Sequence, residues 1–165
     1  MGDRGKLAAI YGFIGIRLNN LDNRKILQKK IYFIQEFGFN LGYDFGFYIY
    51  GPYSTDLTSD VFRLQEQFEV ARNTVFLDDL TAEEQRALGY LDELLQGIPE
   101  ENLAHQLELL SSIHFLNNHI YQPIPNLRLM IQEIERRKPG RFSIREIRRA
   151  WTRLNQLELL TVEEE

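Results

Sequence analysis

The chain has 165 residues, 44% of them hydrophobic and 26% charged, with a formal net charge of -5 and no cysteine. That length and balance fit one globular domain whose core needs no covalent staple. The lack of cysteine excludes disulfides, thiolate catalysis and cysteine-ligated zinc, and the acid excess argues against a general polyanion binder.

Residues 7 to 16, LAAIYGFIGI, follow Arg4 and Lys6 and have the outline of a signal peptide. They lack a small-x-small cleavage site, Gly12 and Gly15 interrupt them, and they have half of the roughly 20 residues that span a bilayer. Lys6 also stands where a myristoylation signal has Ser or Thr. The expectation is a buried helix over residues 6 to 18 of a cytoplasmic protein that does not enter membranes. DNRKILQKKIYFIQEFG follows, with Asp22 or Asn23 placed to cap a helix. Leu27, Ile31 and Ile34 recur with the helical period, Phe33 and Phe37 widen the apolar face, and Gly38 is a stop.

Ten of the 20 aromatic residues lie between Tyr32 and Tyr53. In FGFYIY, Phe45, Phe47 and Ile49 alternate with Tyr48 and Tyr50, which predicts a strand covered on both faces. Gly51-Pro52 predicts a tight turn, and Ser54 an N-cap, with Asp56 at the positive end of the helix dipole. Leu57, Val61 and Leu64 continue that helix. FEVARNTVFLDD predicts a hairpin turning at Arg72-Asn73, so that residues 45 to 50 and 68 to 77 supply a small antiparallel sheet.

Thr81 with Glu84 is a capping-box pattern opening a helix to about Gln96. A long helix over about 100 to 121 carries two apolar rows, Leu103, Leu107, Leu110 and Leu109, Ile113, Leu116, Ile120, which marks it as the central core helix. QPIPN ends it. A helix from Leu127 to about Lys138 leads to the Pro139-Gly140 turn. Ser143 and Glu146 form a second capping box, Phe142 and Ile147 a hydrophobic staple. Ile144, Ile147, Trp151 and Leu154 form the buried stripe of the last helix, and residues 161 to 165 a frayed tail. The predicted fold class is α+β, predominantly helical. One domain over 1 to 165 holds six to seven helices with a small antiparallel sheet or hairpin, open to a winged-helix arrangement.

RKILQKKIYFIQ, the aromatic strand and YIYGPYSTDLTSDVFRL together resemble the YwgA-like family and, more distantly, Panacea-domain proteins. Arg24, Ile26, Gln28, Lys29, Tyr32, Tyr50, Gly51, Pro52, Tyr53, Ser54, Leu57 and Asp60 stand at the comparable places, over roughly residues 22 to 66. Ile26 departs from the Lys usual at its position. The resemblance implies an antitoxin-like module that neutralises a partner toxin by direct binding, in bacteria, archaea or phages, with no catalytic residue. FSIREIRRAWTRLNQLELL is similar to the helix of many winged-helix regulators.

Two surfaces are candidates for binding. The first comprises Gln28, Lys29, Tyr50, Gly51, Pro52, Tyr53 and Ser54. Here YGPYS is either a recognition surface or a turn and cap around which the fold closes, and Gln28 either way suits anchoring of the strand backbone. Lys29 has either a structural role within the fold or a reach to solvent or a partner anion. The second is the basic segment 136 to 153, with eight basic residues and one acid, +7 against -12 for the remainder. Within it Arg141, Arg145, Arg148, Arg149 and Arg153 face away from the apolar stripe, toward solvent, an acidic protein or nucleic-acid phosphates. His114 and His119 are five apart, about 140° around an ideal helix, so they are expected on different faces. His114 is expected in the core, bonded to Ser111 or Asn118. No catalytic residue, cofactor or metal site is predicted. The expected function is a non-enzymatic regulatory or antitoxin-like module that binds a partner protein. The alternative is a nucleic-acid-binding regulator using the last helix.

Overall fold

Asn20 accepts a hydrogen bond from the Asn23 amide at 2.8 Å, and α2 (Leu21–Glu36) starts there, just ahead of the Asp22 and Asn23 expected to cap it. The computed structural model describes residues 2–14, 19–71 and 80–162. Before α2 lies α1 (Arg4–Ile14), which buries Leu7, Ile10, Tyr11 and Ile14; the rest of the helix expected to residue 18 lies outside the described residues. Gly38, at φ 108°, ends α2 as expected.

The sheet is a two-stranded antiparallel hairpin, β1 (Gly46–Tyr48) and β2 (Gly51–Tyr53). Gly46 pairs with Tyr53, Phe47 with Pro52 and Tyr48 with Gly51, so the turn is Ile49-Tyr50. Gly51, at φ 92°, closes it from the position where such hairpins place a left-handed glycine. Two expectations are corrected here. Gly51-Pro52 is the start of the second strand and not the turn. The expected partner strand at 68–77 is not formed by 68–71, which belong to α3 (Thr55–Ala71), while 72–77 lie outside the described residues. The hairpin is also not covered on both faces: Ile49 is 81% exposed and Tyr48 is exposed beside it.

Ser54 caps α3 by accepting from the Leu57 amide at 3.3 Å, with Asp56 in the first turn. α4 (Ala82–Leu95) and α7 (Ile144–Gln156) both open on complete capping boxes, Thr81 with Glu84 and Ser143 with Glu146. Between them lie a short 3-10 turn (Glu100–Asn102), α5 (Leu103–Asn118) and α6 (Leu127–Arg137).

The expected central helix is α5. It is buried from Leu107 to Asn117 and packs against α2, β2, α6 and α7. α1 lies on α3, and α4 on α2. α7 buries Ile147, Ala150, Trp151 and Leu154, whereas Ile144, expected in that stripe, is exposed in the first turn. The chain beyond α7 returns to α5. Asn117 exchanges hydrogen bonds with the backbone of Thr161, 2.7 and 2.8 Å, so the frayed tail expected over 161 to 165 is held at its first residue, and 163 to 165 lie outside the described residues. No helix of the described residues is long and apolar enough to cross a membrane.

α2 holds the hairpin by two glutamines. The Gln28 amide accepts from Ser54 N–H at 2.9 Å and donates to Ser54 C=O at 3.0 Å. The Gln35 amide does the same to Tyr43, at 2.9 and 2.8 Å. Each glutamine imitates a strand edge and satisfies both polar groups of one backbone residue.

Candidate functional site

The hairpin tip rests on a buried ionic cluster. Glu108 on α5 is fully buried among Leu107, Leu109 and Leu110. Arg141 grips its carboxylate through Nε and, at 3.0 Å, through a terminal guanidinium nitrogen. Lys138 Nζ lies 3.7 Å away and Lys25 Nζ 4.0 Å away. Lys29, 1% exposed, is the fourth cation of the group. Two of these ammonium groups reach past Glu108 to the hairpin. Lys138 donates to Ile49 C=O at 2.6 Å, within the turn, and Lys29 to Pro52 C=O at 2.5 Å, on the strand that follows it.

One carboxylate among four cations leaves the site positive. Burial pushes Lys29 down to about 7, offset in part by Glu108 and reinforced by Lys138 and Lys25. Burial also lowers Lys138, again against the pull of Glu108. Hydrogen bonding to Glu108 raises Arg141.

Gly51 completes the tip. A Cβ there would lie 2.5 Å from Ser112 Oγ on α5. The hairpin backbone therefore lies against α5 at a distance only glycine allows.

Of the seven residues expected to meet a partner, five are spent inside the fold. Gln28, Lys29, Gly51, Pro52 and Ser54 are buried, the first two bonding the hairpin backbone. Of the two roles open to Lys29, reach to solvent or a partner is ruled out by its burial: its ammonium ends on a backbone carbonyl. Tyr50 and Tyr53 do reach the surface, Tyr50 with Lys25 Nζ 3.6 Å over its ring. They line a groove of about 190 Å³ with Leu21, Lys25, Val61 and Phe62. Its wall is mostly apolar, and Phe62 stands 51% exposed at its lip.

The basic segment divides in the same way. Arg141 is committed to Glu108, and Arg153 donates to Leu94 C=O and Gln96 C=O at 2.7 and 3.0 Å, closing the end of α4. Arg136 and Arg137 both pair with Glu133. Arg145, Arg148 and Arg149 remain on the exposed face of α7, without ion pairs among the described residues. The hairpin precedes α3 in the chain and its second strand packs on α2 and α5, whereas α7 packs on α5 and α6.

His114 and His119 do come together, against the expectation from an ideal helix. His119 is the C-cap of α5, at φ -120° and ψ 5°, and leaves the helical path. The two rings lie 6.1 Å apart. His114 is buried as expected, but its partner is the Tyr32 hydroxyl, 2.6 Å from Nδ1, and not Ser111 or Asn118. Burial, with His119 nearby, lowers His114 to about 4, so its ring is neutral.

Glu108, Lys25, Lys138 and Phe62 were not anticipated as parts of a site. Glu108 did carry a signal: an acid set inside the apolar rows of a core helix requires a buried cation. Compared with models of protein families, with curated proteins and with solved structures, the chain finds no match in any of the three.

Proposed function

We propose that the chain is a non-enzymatic module that acts by binding a partner protein at the groove beside the hairpin tip. The observation that supports this is the concentration of exposed large apolar side chains there. Leu21, Tyr50 and Phe62 line the groove, and Tyr48 and Ile49 stand next to it on the hairpin. Such patches mark interaction sites on soluble proteins, and aromatic residues in pockets carry much of the binding energy. Lys25 and Arg24 line the same groove, and the guanidinium of Arg141 lies 5.8 Å from the Tyr50 ring. The chemistry suits a partner segment that offers an apolar side chain next to a carboxylate. The buried cluster fixes the hairpin and so presents Tyr50 and Tyr53 in a rigid frame. The resemblance to YwgA-like and Panacea-domain proteins supports a regulatory or antitoxin-like role.

The test is capture from the native host with the parent chain and two variants. Phe62→Asp places a charge in the groove; Tyr121→Asp alters a side chain that is 97% exposed elsewhere. The expected result is one stoichiometric companion, lost with Phe62→Asp and kept with Tyr121→Asp. A companion indifferent to Phe62→Asp, or none at all, overturns the reading.

A second reading is favoured by Arg145, Arg148 and Arg149, exposed on one face of α7 and without ion pairs among the described residues, a footprint suited to nucleic-acid phosphates. It requires duplex binding that weakens steeply with salt and is lost when Arg145 and Arg149 become Glu.

A further inference from the structure

Three potential metal ligands converge where α2 and α5 end. Glu36 is the last residue of α2, His119 is the C-cap of α5, and His114 lies one turn earlier on α5. One carboxylate oxygen and one nitrogen of each imidazole lie within 4.8 Å of one another. His119 Nε2 and Glu36 Oε1 are already 2.6 Å apart. We propose that Glu36, His114 and His119 form a binding site for a divalent transition-metal ion, clasping the ends of α2 and α5.

Four observations carry this. The donor set is two imidazoles and one carboxylate, which suits zinc and its first-row neighbours and disfavours calcium or magnesium. The spacing is near that required: ligand atoms at zinc's bond lengths sit about 3.4 Å apart in a tetrahedron. Glu36 and His119 are exposed and already in contact, while His114 is buried in the core. Tyr32 holds His114 Nδ1 at 2.6 Å, the kind of outer contact that orients a metal-binding imidazole. Finally, both helices end at the site, and the partial negative charge of two C-termini favours a cation. The ion would sit where the His119–Glu36 contact now lies.

Three protein ligands leave a fourth position. Glu36 and His119 line a hollow of about 280 Å³ with Gln35, Asp44 and Phe45, which has room for a water to complete the set.

The experiment titrates the full chain, free of any affinity tag, with zinc chloride by calorimetry and with cobalt chloride by visible absorbance. His119→Ala and Glu36→Gln are the variants, because both side chains are exposed and their loss leaves the fold intact; far-ultraviolet circular dichroism checks this. The expected result is one Zn²⁺ per chain with Kd at or below about 10 μM. Each substitution weakens it at least about tenfold, and His119→Ala removes the cobalt d–d bands. A Kd above about 10 μM, or one that neither substitution weakens about tenfold, overturns the proposal.

Discussion

Gly51 and Ser112 meet so closely that a side-chain carbon on the first would lie 2.5 Å from the hydroxyl oxygen of the second. Gly51 also holds φ at 92°, where L side chains are strained. Both effects penalise Gly51→Ala, which is expected to cost about 3 kcal/mol in urea unfolding. Ser112 Oγ is buried without a hydrogen-bond partner among the described residues. Ser112→Ala is therefore expected to leave stability unchanged or raise it by up to about 1 kcal/mol. Opposite signs at two touching residues distinguish close approach from a general sensitivity of this region.

Glu108 is the single acid of the buried cluster, and its removal strands the cations around it. Glu108→Gln is expected to cost about 4 kcal/mol, read by the same unfolding assay. A loss below about 1 kcal/mol would show that the carboxylate does not neutralise the lysines and Arg141.

Lys29 gives the cluster a pH signature. Its folded value, about 7, lies below the 10.5 of the unfolded chain. Between these values the unfolded state binds more protons, so stability rises with pH. The contribution is fully present above 10.5 and gone below about 7. Between pH 7 and 9 the rise from Lys29 is expected to be about 2 kcal/mol, and Lys29→Met should remove it. The comparison belongs below pH 10, where Tyr32 and Tyr43, both raised by burial, do not yet oppose it. Parallel stability curves for parent and Lys29→Met across this range would contradict the placement of the ammonium.

Arg153 joins α7 to the end of α4 by bonding two of its terminal carbonyls. Arg153→Ala is expected to cost about 1 kcal/mol and to speed amide exchange in the last turn of α4. Arg145→Ala, which loses no internal bond, is expected to stay within about 0.5 kcal/mol of the parent.

Local chemistry made much of the fold legible. Thr81 with Glu84, Ser143 with Glu146, Ser54 and Gly38 each mark a helix end by a contact within a few residues, and each is found in that role. The hairpin was misread by two residues because Gly-Pro is a common turn signal. Here Gly51 uses its freedom to finish a turn begun by Ile49 and Tyr50, and Pro52 occupies an outer strand that needs no further donor. The ionic cluster was not legible, since Lys25 and Lys29 come from α2, Glu108 from α5, and Lys138 and Arg141 from the turn that follows α6. Only the packing of α2, α5 and α6 brings them together. The histidine pair escaped for a different reason: a helical wheel assumes that the helix continues, and α5 ends at Asn118.

The spacing of Gln28 and Gln35 limits how this chain can change its length. Seven residues bring a helix back to nearly the same side, so both amides face the connecting segment. One residue added or deleted between them would swing one amide away by about 100°, leaving unanswered either the Ser54 N–H, whose C=O keeps the Thr58 amide, or both backbone groups of Tyr43. The stretch from 29 to 34 should thus tolerate exchange of side chains far better than insertion or deletion.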